Sequence, residues 1–104
     1  MYIRLLSFET RGNKTAELTA IMDNIIPKIK ALGGRDCKFM MHEEDNQYAL
    51  IVFWDSKEKA DAAVPIIAPQ LLPALNKFTK ENVVHRLYDV YEPVLTAVSE
   101  NVNN

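Results

Sequence analysis

The protein has 104 residues, of which 48% are hydrophobic and 25% charged, with a formal net charge of -2 at pH 7. A chain of this length forms one domain and buries enough surface for a core without disulfides or a structural metal. The hydrophobic content excludes an intrinsically disordered chain. Because the balance is slightly acidic and no basic run occurs, we do not expect a nucleic-acid partner.

The cysteine content and the apolar segments bear on where the protein works. Cys37 is the single cysteine, so no intrachain disulfide forms and a reducing compartment fits. Arg4 and Glu9 interrupt the first apolar stretch too early for the ~7–15-residue core of a signal peptide. The longest clean apolar run, Tyr48 to Trp54, is far shorter than the ~20 residues of a membrane-spanning helix. We therefore expect a cytoplasmic protein with no membrane partner.

The first half of the chain predicts a strand, a helix and a hairpin. Aromatic and branched residues from Tyr2 to Thr10 indicate a strand that is apolar on both faces. Apolar residues then recur at helical spacing from about Lys14 to Leu32, and Gly33-Gly34 ends that helix. Strands Arg35–Glu43 and Tyr48–Trp54 follow with a short polar link, which predicts an antiparallel hairpin.

Prolines interrupt both predicted helical regions. Pro27 lies inside the first helix and should bend it. The region after Trp54 contains Pro65, Pro69 and Pro73, and a continuous α-helix is not expected to tolerate all three. This region is therefore predicted to form two short helices with an irregular joint. A last strand is expected from about Asn82 to Tyr91.

The predicted order β-α-β-β-α-β is that of the ferredoxin-like α+β fold. Right-handed crossovers place both helical regions on one face of a four-stranded antiparallel sheet, in which the strand order is fourth, first, third, second. Residues 1–93 are expected to form this domain and residues 94–104 a C-terminal tail. The opposite sheet face, with Ile51 and Phe53, would be an exposed apolar patch. Two copies packed through this face would form a homodimeric α+β barrel.

Residues Tyr2 to Tyr91 resemble the dimeric α+β barrel superfamily, and most closely the antibiotic biosynthesis monooxygenase (ABM) domain family. The resemblance rests on the Ile26-Pro27 break in the first helix, the Gly33-Gly34 stop, and the segment Tyr48–Ala60. In this segment a strand ends in Trp-Asp-Ser and an acidic, alanine-rich helix follows. Members of the family include cofactor-free quinone-forming oxygenases, heme-degrading enzymes and proteins with no assigned reaction.

A cofactor is not predicted. By resemblance, the heme-degrading members use an Asn on the first strand, the Trp, and a His on the second helical region. Only Trp54 matches here, because the first strand has no Asn and residues Ser56–Phe78 contain no His. Two histidines and one cysteine without paired spacing also give no metal-site signature.

Two residues are candidates for catalysis. A cofactor-free oxygenase needs a base, because the substrate carbanion or phenolate must itself give an electron to O₂. His85, early in the last strand, has the side chain suited to that step, although a lone strand histidine is more often a surface or core group. Arg4 is a charge inside an apolar strand and could hold a substrate oxyanion. Its structural alternative is an ion pair with Asp89 or Glu92.

Four further residues are candidates for substrate binding. By resemblance, Trp54 lines a pocket between sheet and helices, and Phe39 would form another wall. Ser7 is expected near His85 and would orient it, and Tyr88 would supply a hydroxyl. Core packing is the alternative for Trp54, and amphipathic edge packing is the alternative for Tyr88.

Two functions stay open at this point. The first is a cofactor-independent monooxygenase that acts on a small aromatic or polyketide-like substrate. The second is a non-catalytic dimer of the same fold, with a purely structural role or a small ligand. They are distinguished by whether His85, Arg4 and Trp54 converge on one cavity.

Overall fold

A computed structural model describes residues 1–93, and the predicted tail lies outside this range. The elements are β1 (Tyr2–Glu9), α1 (Thr15–Ala31), β2 (Asp36–His42), β3 (Gln47–Trp54), α2 (Lys57–Asn76) and β4 (Val84–Asp89). A 3₁₀ turn, Glu43–Asp45, joins β2 to β3. The strands form one antiparallel sheet in the order β2-β3-β1-β4. The predicted ferredoxin-like topology is confirmed.

One face of the sheet packs against both helices and forms the core. Each helix contributes residues at three- and four-residue spacing, as an amphipathic helix must to cover a sheet. The buried hydrophobic residues of α1 are Leu18, Met22, Ile25 and Ile29, and those of α2 are Ala60, Ala63, Ile67, Leu71 and Leu75. They meet the inward-facing residues of the central strands, which include Leu6, Phe8, Leu50 and Val52.

The prediction that prolines divide α2 was wrong. The helix is continuous, and Pro65, Pro69 and Pro73 lie within it. A four-residue step advances about 40° beyond a full turn, so all three prolines fall on one side of the helix. That side is exposed to water, which can hydrate the carbonyl groups that lose their amide partners. The side facing the sheet keeps its packing, and this packing holds the helix together.

The opposite sheet face is open in the single chain. Ile3 pairs with Phe53 and Leu5 pairs with Ile51, and these side chains are only partly buried. Around them lie three large exposed hydrophobic residues, Met40, Val84 and Tyr88. The predicted apolar patch is therefore present.

The connection from α1 to β2 depends on two glycines. Gly33 has a φ of +106°, in the left-handed region that glycine adopts without penalty. The Gly34 amide donates to the carbonyl of Ile29 over 3.1 Å. A Cβ on Gly34 would lie 2.8 Å from Ile29 Cγ2 and 3.2 Å from Val52 Cγ1. The close approach of this turn to the core thus requires a residue without a side chain.

We expect Gly34→Ala to lower the free energy of unfolding by about 1–3 kcal/mol, the usual cost of overpacking. Gly12→Ala is the comparison. A Cβ on Gly12 would contact no atom within 4 Å, so this substitution tests only the cost of placing alanine at a φ of +78°. Urea denaturation followed by circular dichroism measures both variants. A Gly34→Ala protein as stable as wild type would contradict the close packing described here.

Candidate functional site

A cleft lies between the helix-covered face of the sheet and α2. Its cavity volume is about 70 Å³, well below the roughly 300–1,000 Å³ of typical small-molecule sites, and it is partly open to solvent. Its walls are largely aliphatic, and α2 contributes both alanines and larger aliphatic side chains. The lining residues are Arg4, Leu6, Ile29, Leu50, Val52, Trp54, Ala60, Ala63, Val64, Ile67, Ala68, Leu71, Leu72 and His85.

Three of the residues singled out in the sequence, Arg4, Trp54 and His85, line this cleft. The strand register explains why. Arg4 on β1 lies opposite Val52 on one side and Leu87 on the other. Trp54 and His85 are therefore its diagonal neighbours on the same sheet face, with typical separations of about 7–8 Å. The cleft is thus lined by a cation, with an indole toward one end of β1 and an imidazole toward the other.

Trp54 is almost fully buried, with 3% of its surface exposed. Its Nε1 has no hydrogen-bond partner within residues 1–93. The six-membered ring of the Trp54 indole faces the turn between α1 and β2. A Cβ built on Gly33 in that turn would lie 4.0 Å from Trp54 Cζ3. Nε1 is on the opposite edge of the indole ring. A buried donor without an acceptor is costly, so this indole N–H is a donor that the described residues leave unsatisfied.

Arg4 reaches an acidic partner on α2. Its Nη2 donates to Asp61 Oδ1 over 3.4 Å, while Lys57 Nζ donates to Asp61 Oδ2 over 2.5 Å. The hydrogen bond from Lys57, and more weakly the charge of Arg4, hold the pKa of Asp61 below its usual value. One carboxylate is thus shared by two cations where α2 meets β1.

Within residues 1–93 of the single chain, Arg4 does not form the expected ion pair with Asp89 or Glu92. Asp89 lies opposite Tyr2 and is exposed. The Glu92 carboxylate instead accepts from the N-terminal amine over 3.2 Å. The sequence analysis missed Asp61 and Lys57, although their four-residue spacing on a predicted helix is a signal for an ion pair.

Ser7 does not lie beside the His85 ring as expected. His85 pairs with Leu6, whereas Ser7 pairs with Val84 and so projects from the open sheet face. Glu9 shares that face with Ser7, because successive side chains along a strand alternate. Tyr88 is also on the open face, where it pairs with Ile3. His85 itself is exposed at the rim of the cleft.

Phe39 points to the helix side but does not line the cleft. Its ring stacks on Tyr48, with 5.9 Å between centroids and 5° between planes, and on Phe8 at 6.5 Å. Phe39 pairs with Leu50, away from the end of the sheet where Arg4 lies. It belongs to an aromatic stack that packs the opposite end of the core.

Other reactive groups do not add to this site. Burial raises the pKa of the Cys37 thiol to about 11, so the sulfur is protonated and a poor nucleophile at neutral pH. Within residues 1–93, the histidines, cysteine and carboxylates form no group of three or more that could hold a metal ion. Neither α1 nor α2 is long and apolar enough to cross a membrane.

No protein-family model and no curated protein matches the sequence. Solved structures do match. SnoaB, a cofactor-independent oxygenase from Streptomyces nogalater, is 18% identical, with a TM-score of 0.71 and coverage of 89% of this chain and 95% of SnoaB. An antibiotic biosynthesis monooxygenase is 12% identical, with a TM-score of 0.71 and coverage of 88% and 100%.

A conserved protein from Methanosarcina mazei Go1 is 14% identical, with a TM-score of 0.74 and coverage of 88% of this chain and 94% of that chain. All three identities are low, so the likeness concerns the fold. It extends over nearly the whole of each matched structure and agrees with the sequence resemblance. The chain has the fold of the antibiotic biosynthesis monooxygenase-like proteins.

Proposed function

We propose that this protein is a homodimeric cofactor-independent monooxygenase that oxidises a small aromatic substrate. The observation that carries the proposal is the convergence of Arg4, Trp54 and His85 on one apolar cleft. The likeness to SnoaB, described as a cofactor-independent oxygenase, supports the same class of reaction. In this proposal the aromatic body occupies the aliphatic space beneath α2, and its hydroxyl lies at the Arg4 end.

The proposed reaction begins with proton transfer from the phenol hydroxyl to the His85 imidazole. Arg4 stabilises the phenolate, which gives one electron to O₂. The phenoxyl radical and superoxide then form a carbon–oxygen bond, and the imidazolium returns its proton to the peroxide. Loss of the ring proton with cleavage of the oxygen–oxygen bond releases water and leaves a quinone. One phenol and one O₂ thus become one quinone and one water.

The aliphatic walls have a role in this chemistry. A guanidinium stabilises an oxyanion far more strongly where water is excluded. In this proposal the buried Trp54 indole is a further N–H donor, because its Nε1 has no partner within residues 1–93. Water exclusion also protects a radical pair from side reactions. The site therefore needs no metal or flavin if the substrate itself is electron-rich.

A second function, ligand binding without catalysis, is favoured by the surroundings of His85. The side chain is exposed at the rim, and within the described part of the chain no hydrogen bond orients its ring. A base held this loosely is poorly positioned for proton transfer. The same cleft would then bind an aromatic ligand without oxidising it.

The homodimer is proposed from the open sheet face. Ile3, Leu5, Ile51 and Phe53 lie together there in paired rows. A second copy related by a two-fold axis would cover this face with its own and bury both patches. The cleft is on the opposite side of the sheet and would remain accessible.

His85→Gln should lower turnover of 1-naphthol by at least about 100-fold, the usual contribution of a general base. Oxygen uptake and the absorbance of 1,4-naphthoquinone measure the reaction. His42→Gln is the matched control, because His42 is exposed and pairs with Asp45 beside the 3₁₀ turn. Wild-type turnover in His85→Gln would exclude His85 as the base, and binding of 1-naphthol without oxygen uptake would favour the non-catalytic function.

Ile51→Glu should convert the wild-type dimer into a monomer, because it places a charge in the middle of the proposed interface. Ile66→Glu is the control, since Ile66 is exposed on α2. Native mass spectrometry measures all three proteins. A monomeric wild type, or an Ile51→Glu protein that remains dimeric, would contradict the proposed interface.

A further inference from the structure

At the mouth of the cleft, Asp61 forms two ion pairs of unequal length. Arg4 contacts Asp61 through one nitrogen–oxygen distance of 3.4 Å, whereas Lys57 approaches the same carboxylate to 2.5 Å. Charged hydrogen bonds between nitrogen and oxygen are normally about 2.7–2.9 Å long. Asp61 is therefore held mainly by Lys57, and its bond to Arg4 is the weaker of the two.

Arg4 is also the least exposed member of this group. Its side chain is 16% exposed, against 48% for Asp61 and 61% for Lys57. Water competes for Asp61 and Lys57 but has limited access to Arg4. A guanidinium has five N–H donors, and the contact with Asp61 uses one of them. Among the described residues, 1–93, this partly buried cation is therefore incompletely satisfied.

We propose that Asp61 is an exchangeable counterion for Arg4 and that the cleft selects apolar ligands carrying a carboxylate. The ligand carboxylate replaces Asp61 on Arg4, and Asp61 keeps Lys57. Neither carboxylate is left unpaired, so the exchange avoids the penalty of an isolated buried charge. A neutral ligand of the same shape gains no such ion pair and leaves Arg4 with its weak contact.

Charge and burial elsewhere in the cleft agree with this selection. At the mouth, two cations, Arg4 and Lys57, share the carboxylate of Asp61. The other walls are aliphatic and suit an apolar body. The inference deepens the proposed function and rests on it: the substrate phenol would also carry a carboxylate, and the five N–H donors of Arg4 can serve both the carboxylate and the phenolate oxygen.

Isothermal titration calorimetry with 2-naphthoate and 2-naphthamide tests the inference on the full chain. The two probes share one aromatic body and differ in the charge of the head group. Wild type should bind 2-naphthoate about tenfold more tightly than 2-naphthamide, a difference of about 1.4 kcal/mol. Arg4→Met should remove this preference, so that 2-naphthoate no longer binds more tightly than 2-naphthamide.

Asp61→Asn should tighten binding of 2-naphthoate by about 3–10-fold, because the competing carboxylate is gone, and leave 2-naphthamide unchanged. Asp55→Asn is the matched control. Asp55→Asn changes the net charge of the protein by the same amount as Asp61→Asn. Asp55, however, pairs with the exposed Arg35 rather than with a residue of the cleft. Asp55→Asn should leave the affinity for both probes unchanged.

The outcomes separate the inference from the proposed function. Equal binding of both probes to wild type would overturn the selection of carboxylates and leave the cleft as a small-molecule site. Weaker binding of 2-naphthoate to Asp61→Asn, or equal tightening by Asp61→Asn and Asp55→Asn, would overturn Asp61 as the competing counterion. If neither probe binds wild type, the cleft is not a site for aromatic ligands, and the proposed function fails together with the inference.

Discussion

The register of β1 against its two neighbours is the constraint on which the site depends. Because β1 is central, with β3 on one side and β4 on the other, each of its residues has a partner on both sides. This pairing puts Arg4 diagonally between Trp54 and His85. A slip of one residue would move Arg4 to the open sheet face and leave the cleft without its cation. The strand pairing thus determines which side chains line the cleft as well as how the sheet is assembled.

The second requirement is space, and α2 provides it. Where this helix crosses the Arg4 end of the sheet it presents Ala60 and Ala63, whereas further along it presents Ile67, Leu71 and Leu75. The alanines leave room beside the sheet, while Ile67 and Leu71 belong both to the wall of the cleft and to the core. The same helix positions Lys57 and Asp61 at the mouth. One element therefore shapes the cleft and supplies the acidic group that meets Arg4.

The hydrophobic periodicity of the sequence was sufficient to predict the element order and the strand order, and the Trp-Asp-Ser segment pointed to the correct end of β3. The faces of individual β1 and β4 residues were harder to predict. Because β1 is apolar on both faces, its pattern does not specify which residues face the helices, and Ser7 was wrongly expected beside His85. The partner of Arg4 was missed because Asp61 lies on a helix whose position over the sheet depends on tertiary packing. The continuity of α2 was missed because proline was judged residue by residue, without the four-residue spacing that keeps all three on the exposed side.

The central claim is that Arg4, Trp54 and His85 belong to one ligand site. Trp54 is the only tryptophan, so its indole N–H gives a single resonance in a two-dimensional ¹H–¹⁵N spectrum. Titration of the ¹⁵N-labelled protein with 2-naphthoate should shift this resonance together with the backbone amides of Arg4 and His85. Shifts confined to the side-chain amides of Asn24 and Gln70, which line a separate groove between α1 and α2, would place the ligand elsewhere and contradict the account.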